Sequence, residues 1–218
     1  MKVLLVNDDY WHPGKVSDEG VKPLERLGFA FDTVSDGASF PASALGEYPV
    51  ILFGKSGNGT ADDQSKWITP AVRRALADYV RGGGGLLAVH SGTASYDGME
   101  DMHSLLGGLF MTHPPQLAVT FEPKAGHPLT EGVHPFTAVD EHYFMDMAEG
   151  HADVFLTGSS RHGALPAGWT RTDGRGRVCV LTPGHNLDVW LNPNFQRLLQ
   201  NALNWCAGAK VPQGEETL

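Results

Sequence analysis

Continuous apolar runs alternate with helical stripes along the first half of the chain. Lys2–Val6 (KVLLV), residues 29–34, residues 48–53 and Gly85–Val89 read as strands. The unbroken hydrophobicity of the first and last of these marks strands covered by helices on both faces, as in a parallel sheet. Between them, Val21, Leu24 and Leu27 recur at helical spacing before Gly28, with Ser17 as the expected N-cap. A second helix is expected over 70–79, with Pro70 in its first turn and Val72, Leu76, Tyr79 and Val80 forming its apolar stripe. The order β-α-β-β-α-β predicts an α/β fold with a doubly wound, mostly parallel sheet.

The second half is less regular. Met102, Leu105, Leu106 and Leu109 suggest a helix over 97–110. Strands are expected at 116–121, 137–139, 154–157, 169–171 and 177–182, with Asp173 and Gly174 as the hairpin turn between the last two. Phe195, Leu198, Leu199, Ala202 and Trp205 define a closing helix over 195–205, and the polar tail from 208 to 218 is expected to fray. No apolar run approaches the length of a membrane span, and the N-terminal run is too short for a signal peptide; the cytoplasm is the expected location.

Composition narrows the partners. The chain has 218 residues, a net charge of −9 with histidine neutral, and no cluster of basic side chains. That balance argues against nucleic acid or an anionic membrane as a partner. The two cysteines, Cys179 and Cys206, lie in apolar segments without CxxC spacing and read as buried thiols. Ten histidines are the unusual feature, because imidazole both ligates metals and titrates near neutral pH.

Several histidines follow strands, where a side chain is held rigidly yet remains accessible and where ligands bind open α/β sheets. They are His12, His90 beside Ser91, the run Asp140, Glu141, His142 and Tyr143, and His185 beside Asn186. His113 and His127, each before a proline, form a further group. Ala88 to Gly92 has the form of a nucleophile elbow with histidine at its centre, which favours metal ligation, general base work or hydrogen bonding over acyl transfer. Ser91 lies one residue off register, so a serine hydrolase is a minor alternative. Adjacent Asp140 and Glu141 point to opposite faces if extended, so only one is expected in the site. The loop from Gly54 to Gly59 lacks the full phosphate-loop spacing and reads as a plain loop, and no nucleotide cofactor is evident.

An ordered set of motifs spans nearly the whole chain: Gly82 to Thr93 (GGGGLLAVHSGT), Leu106 to Phe110 with His113 and Pro114, His127 to Thr130, Asp140 to Tyr143, Trp169 to Arg171, Gly174 to Val178, Gly184 and His185, Asn192 to Phe195, and Asn201 to Trp205. Together they resemble the ThuA-like (trehalose utilisation) family, a branch of the class I glutamine amidotransferase-like superfamily. The resemblance implies a flavodoxin-like sheet and one domain over 1–207, followed by the tail. It also implies that glutamine amidotransfer is absent, because His90 stands where true amidotransferases carry the elbow cysteine. His185 resembles their catalytic histidine, but the acid expected two residues later is replaced by Leu187. Family members are associated with sugar utilisation, often beside nicotinamide-dependent sugar oxidoreductases.

The resulting expectation is an enzyme acting on a trehalose-like glycoside or keto-sugar, with His90, His185 and Glu141 as catalytic groups and as ligands of a divalent metal, zinc first. Trp11, His12, Ser91, His113 and Tyr143 are the expected sugar contacts. A sugar oxidoreductase is the expected protein partner, and a homo-oligomer is compatible. The alternative is a non-catalytic sugar-binding or partner subunit of such an oxidoreductase.

Overall fold

A computed structural model of the protein describes residues 1–58, 65–150 and 152–208. Gly59 of the expected loop and tail residues 209–218 lie outside this set. Strands β1 (Lys2–Val6), β2 (Ala30–Val34), β3 (Val50–Phe53) and β4 (Gly85–Val89) are joined through α1 (Gly14–Glu25) and α2 (Pro70–Arg81). Next come α3 (Glu100–Leu106), β5 (Gly108–Thr112), β6 (Leu117–Pro123), β7 (Phe136–Asp140), β8 (Phe144–Met147), β9 (Asp153–Ser160), β10 (Gly163–Asp173) and β11 (Gly176–Leu181). Helices α4 (Leu187–Trp190) and α5 (Pro193–Cys206) close the described chain.

Nine strands form one sheet in the order β2-β1-β3-β4-β11-β10-β9-β6-β7. From β2 to β11 every pairing is parallel, in the flavodoxin-like order. From β11 to β7 every pairing is antiparallel. The apolar runs fill both faces of the parallel half. Val3, Leu5, Val50, Leu52, Leu87 and Val89 pack under α1 and α5, while Leu4, Val6, Ile51, Phe53, Leu86 and Ala88 pack under α2 and α3. This two-sided burial is the physical reason the strands read as unbroken hydrophobic stretches. Cys179 and Cys206 are buried free thiols.

Several local expectations are corrected. Ser17 is not an N-cap but sits inside α1, where its hydroxyl donates to Gly14 O at 3.0 Å and accepts from Asn7 Nδ2 at 2.9 Å. The Asp8 carboxylate meets the helix start instead, accepting from Gly14 N at 2.7 Å. The helix expected over 97–110 stops at Leu106, because Gly107 turns left-handed at φ 76°. The chain beyond it becomes β5, which pairs with β8 in a separate two-stranded ribbon. Among the described residues, no helix is long and apolar enough to cross a membrane.

Candidate metal centre and ligand cavity

Five segments bring functional side chains to one end of the sheet. His12 lies in the loop after β1, Ser56 after β3, His90 directly after β4, Glu141 after β7 and His185 after β11. The β1/β3 boundary is where the parallel strand order reverses, so the chain leaves a crevice there. His90 itself adopts φ 50°, a left-handed conformation that is uncommon outside glycine and typical of a strained elbow. The five-residue strand before it is fully buried, which fixes where that strained turn presents the ring.

Hydrogen bonds behind the rings fix which nitrogen faces the site. His90 Nδ1–H donates to Thr182 O at 2.8 Å, leaving Nε2 with a free electron pair. Tyr143 donates its hydroxyl to that Nε2 at 2.9 Å. His12 Nδ1–H donates to Asp9 Oδ1 at 2.8 Å. Burial opposes ionisation of Asp9, but His12 and the backbone N–H groups of Ser56 and Trp11 outweigh it and hold its pKa at about 2. Asp9 is therefore an acceptor, and His12 Nε2 is the nitrogen left to bind a ligand. Burial also lowers the pKa of His12, which favours the neutral ring a metal requires.

Glu141 lies among these rings. Its Oε2 is 3.3 Å from His90 Nε2, and its Oε1 is 3.2 Å from His185 Nδ1 and 3.5 Å from His113 Nε2. Burial raises the Glu141 pKa, yet His185 and His90 more than reverse that and keep it well below the usual carboxylate range. The same carboxylate raises the pKa of His185 against the effect of burial. Although close to Glu141, His185 Nδ1 has no aligned hydrogen-bond partner. In a tetrahedral zinc site, bond lengths of about 2.0–2.2 Å put neighbouring ligand atoms roughly 3.3 Å apart, each aimed at the ion and not at its neighbour. Close, misaligned contacts are what such a set looks like.

One ligand atom from each of His12, His90, Glu141 and His185 lies within 4.8 Å of the others. Among the described residues, five buried polar side-chain atoms have no partner: His12 Nε2, Ser56 Oγ, Arg171 Nε, His185 Nδ1 and Gln196 Oε1. Three of the five belong to residues lining a single cavity of about 250 Å³. A buried polar atom left unpaired costs about 1–3 kcal/mol, so a ligand seated here could satisfy three such atoms at once. Two of the three atoms are ring nitrogens of the four-residue cluster, and three imidazoles with one carboxylate suit a divalent transition metal.

Residues 2–206 match the ThuA family model, described as trehalose utilisation. The chain belongs to the ThuA family. Its fold is similar to that of a ThuA-like protein from Parabacteroides merdae ATCC 43184, with a TM-score of 0.78 at 20% identity over 99% of this chain and 93% of that one. A cytoplasmic protein from Salmonella typhimurium aligns at TM-score 0.71 and 18% identity over 94% and 99% of the two chains. The β-galactosidase of Rahnella sp. R3 contains a similar fold, with TM-score 0.69 and 15% identity over 97% of this chain but 31% of that one. No curated protein matches the chain. These likenesses establish the flavodoxin-like α/β fold of this ThuA-family chain.

The remaining sequence candidates fall into distinct places. Trp11, His12, His113, Glu141, Tyr143 and His185 line the cavity together with Ser56, Ala94, Ser95 and Phe110. Trp11 is 40% exposed at its mouth. The ribbon supplies one wall, with Phe110 in β5 lying 4.4 Å from the Tyr143 ring. Ser91 is brought near the rings, but its hydroxyl donates to Gly54 O at 2.9 Å. His142 turns away, to Ser160 and Gly158 O. His127 is remote as well; it stacks on Phe155 and pairs with Asp153.

Three further residues organise the ThuA site: Asp9 and Ser56, which the sequence does not single out, and Asp140, which it marks only as the neighbour of Glu141. Asp9 serves His12, and its other oxygen accepts from Ser56 N at 2.9 Å. Asp140 is fully buried and accepts from Gly184 N at 2.8 Å, His185 N at 3.1 Å and Glu141 N at 2.9 Å. It therefore ties the segment carrying Glu141 to the segment carrying His185. Ser56 is the third, and its only sequence signal is its position just beyond a buried strand.

Proposed function

We propose that this ThuA-family protein is a metal-dependent enzyme acting on a trehalose-like glycoside or keto-sugar in the cytoplasm. The observation that carries the reading is the four-residue cluster, with His12 Nε2 left without a hydrogen-bond partner and His185 Nδ1 close to Glu141 but not aligned to hydrogen-bond it. His12, His90, His185 and Glu141 would hold the ion, zinc first among divalent metals. Such an ion supplies Lewis acidity for a sugar carbonyl or hydroxyl, or activates water.

The protein's own groups do the rest. Trp11 offers an aromatic face for a sugar ring at the cavity mouth. At about 250 Å³ the cavity is at the small end of ligand sites, which supports a single ring as the occupant. His113 Nδ1–H donates to Pro114 O at 2.8 Å, so its Nε2 is directed into the cavity beside Glu141 Oε1. His113 and Glu141 are thus placed to pass a proton to or from a substrate oxygen. Tyr143 and Phe110 exclude water from the side of the ribbon.

Metal analysis of the purified chain, with zinc titrations of His12→Ala, His90→Ala and His185→Ala, tests the metal. One ion per chain in the wild type and a loss of at least tenfold in affinity in each variant are expected. No bound ion and unchanged titrations in all three variants would overturn it. Turnover of a keto-sugar panel by the isolated chain tests the activity. Turnover only on mixing with a nicotinamide-dependent sugar oxidoreductase would favour the non-catalytic partner reading instead.

A further inference from the structure

An ion accounts for the unpartnered ring nitrogens of His12 and His185, but not for Ser56 Oγ. Ser56 is outside the ligand cluster, yet its hydroxyl has no hydrogen-bond partner and the residue lines the same cavity. At 1% exposure its hydroxyl is shielded from bulk solvent. Its backbone is held on both sides. Ser56 N–H donates to Asp9 Oδ2 at 2.9 Å, and Ser56 O accepts from Trp67 Nε1 at 2.6 Å. The backbone is therefore fixed, and the hydroxyl keeps only the rotation about its own Cα–Cβ bond, with its bonding capacity unused.

We propose that Ser56 is a specificity-determining residue whose hydroxyl hydrogen-bonds one ring hydroxyl of a sugar seated in the cavity. The inference rests on the carbohydrate reading given above. A serine hydroxyl both donates and accepts, as a sugar hydroxyl does, so either can supply the proton. A ligand with hydrogen at that ring position leaves Ser56 buried and unpaired, and a site built for a hydroxyl discriminates against such analogues. Asp9 adds a geometric link. One carboxylate orients His12 through Oδ1 and pins Ser56 through Oδ2. The spacing between His12 and the Ser56 backbone is thereby fixed, which suits a ligand presenting two oxygens on one ring.

Calorimetric titration of the zinc-loaded chain with glucose and with its 2-, 3-, 4- and 6-deoxy analogues tests the proposal. In the wild type, one analogue is expected to bind about tenfold more weakly than glucose. Ser56→Ala should bind glucose about tenfold more weakly and no longer distinguish it from that analogue, the signature of a coupled pair. Its zinc affinity should remain that of the wild type. Ser56→Cys, close in shape but a poor donor, should shift in the same direction and serves if the alanine variant does not fold. Wild-type binding with the deoxy preference retained in the variants would overturn the inference and leave the carbohydrate reading standing. Zinc binding with no heat from any of the five sugars, from trehalose or from the keto-sugar panel would defeat the carbohydrate reading, and this inference with it.

Discussion

Tyr143 donates its hydroxyl to His90 Nε2 at 2.9 Å, and so occupies the electron pair that a metal ion would use. Both residues are buried, with ring centroids 4.3 Å apart. Ion binding must break this hydrogen bond, whose net worth is about 0.5–1.5 kcal/mol. Tyr143→Phe is therefore expected to bind zinc up to about tenfold more tightly, as measured by competition with a chromophoric chelator. A marked loss of affinity would show that the phenol supports the ion and does not compete with it.

Asp9 accepts the Nδ1–H of His12 at 2.8 Å and so acts on the site through that ring. Removing the carboxylate in Asp9→Ala frees the imidazole to rotate and removes the acceptor that keeps its proton on Nδ1. Zinc affinity should fall by about 10–100-fold, the usual effect of losing the partner behind a ligating histidine. The same chelator competition reads the effect. An unchanged affinity would place His12 outside the ligand set.

The ionisation of Glu141 and His185 sets a pH dependence. Without an ion, the raised His185 pKa contributes stability that is present below its unfolded value and is lost as pH rises through its folded value. Glu141, depressed by its two imidazole neighbours despite burial, contributes stability present above its unfolded value and lost only in strong acid. An ion must displace the His185 proton, so its affinity runs the other way and keeps increasing above about 6.5, the ordinary imidazole value. The rise in thermal midpoint on adding zinc should be larger at pH 8 than at pH 6. Equal rises at the two pH values would contradict the assigned role of His185.

Gly92 lets the elbow fold against the neighbouring strand. A Cβ at this position would lie 1.9 Å from Phe53 O, a backbone atom that cannot swing aside. Gly92→Ala is expected to destabilise the chain by about 1–3 kcal/mol or more, as overpacking of a rigid site does. Urea denaturation measures this, and a midpoint matching the wild type would refute it.

The parallel half of the fold was legible because burial on both faces leaves a simple trace in the chain. The strand-end positions of His12, His90 and His185 followed from the same kind of run, whereas Glu141 follows β7, a half-exposed edge strand of the antiparallel part. The β5/β8 ribbon was not legible, since its strands are short and half-exposed and Leu109 continues the spacing of the preceding helix. Only the left-handed turn at Gly107 separates the two elements. Asp9 and Ser56 were equally hidden. Their roles depend on a contact between residues 47 positions apart, whereas local pattern reports neighbours. For the adjacent pair Asp140 and Glu141, alternation along an extended chain did indicate that only one carboxylate enters the cavity.

The four clustered side chains come from stretches spread over most of the sequence, on both the parallel and the antiparallel parts of the sheet. An ion shared among them would act as a cross-link, closing long chain loops whose ends are otherwise held only by the sheet and its packing. Four ligands close three loops, and because the entropy of closing a loop grows, if slowly, with its length, one such centre would restrain the unfolded chain somewhat more than three short-range ties. In this protein, capturing a metal would then tighten a fold that is already formed.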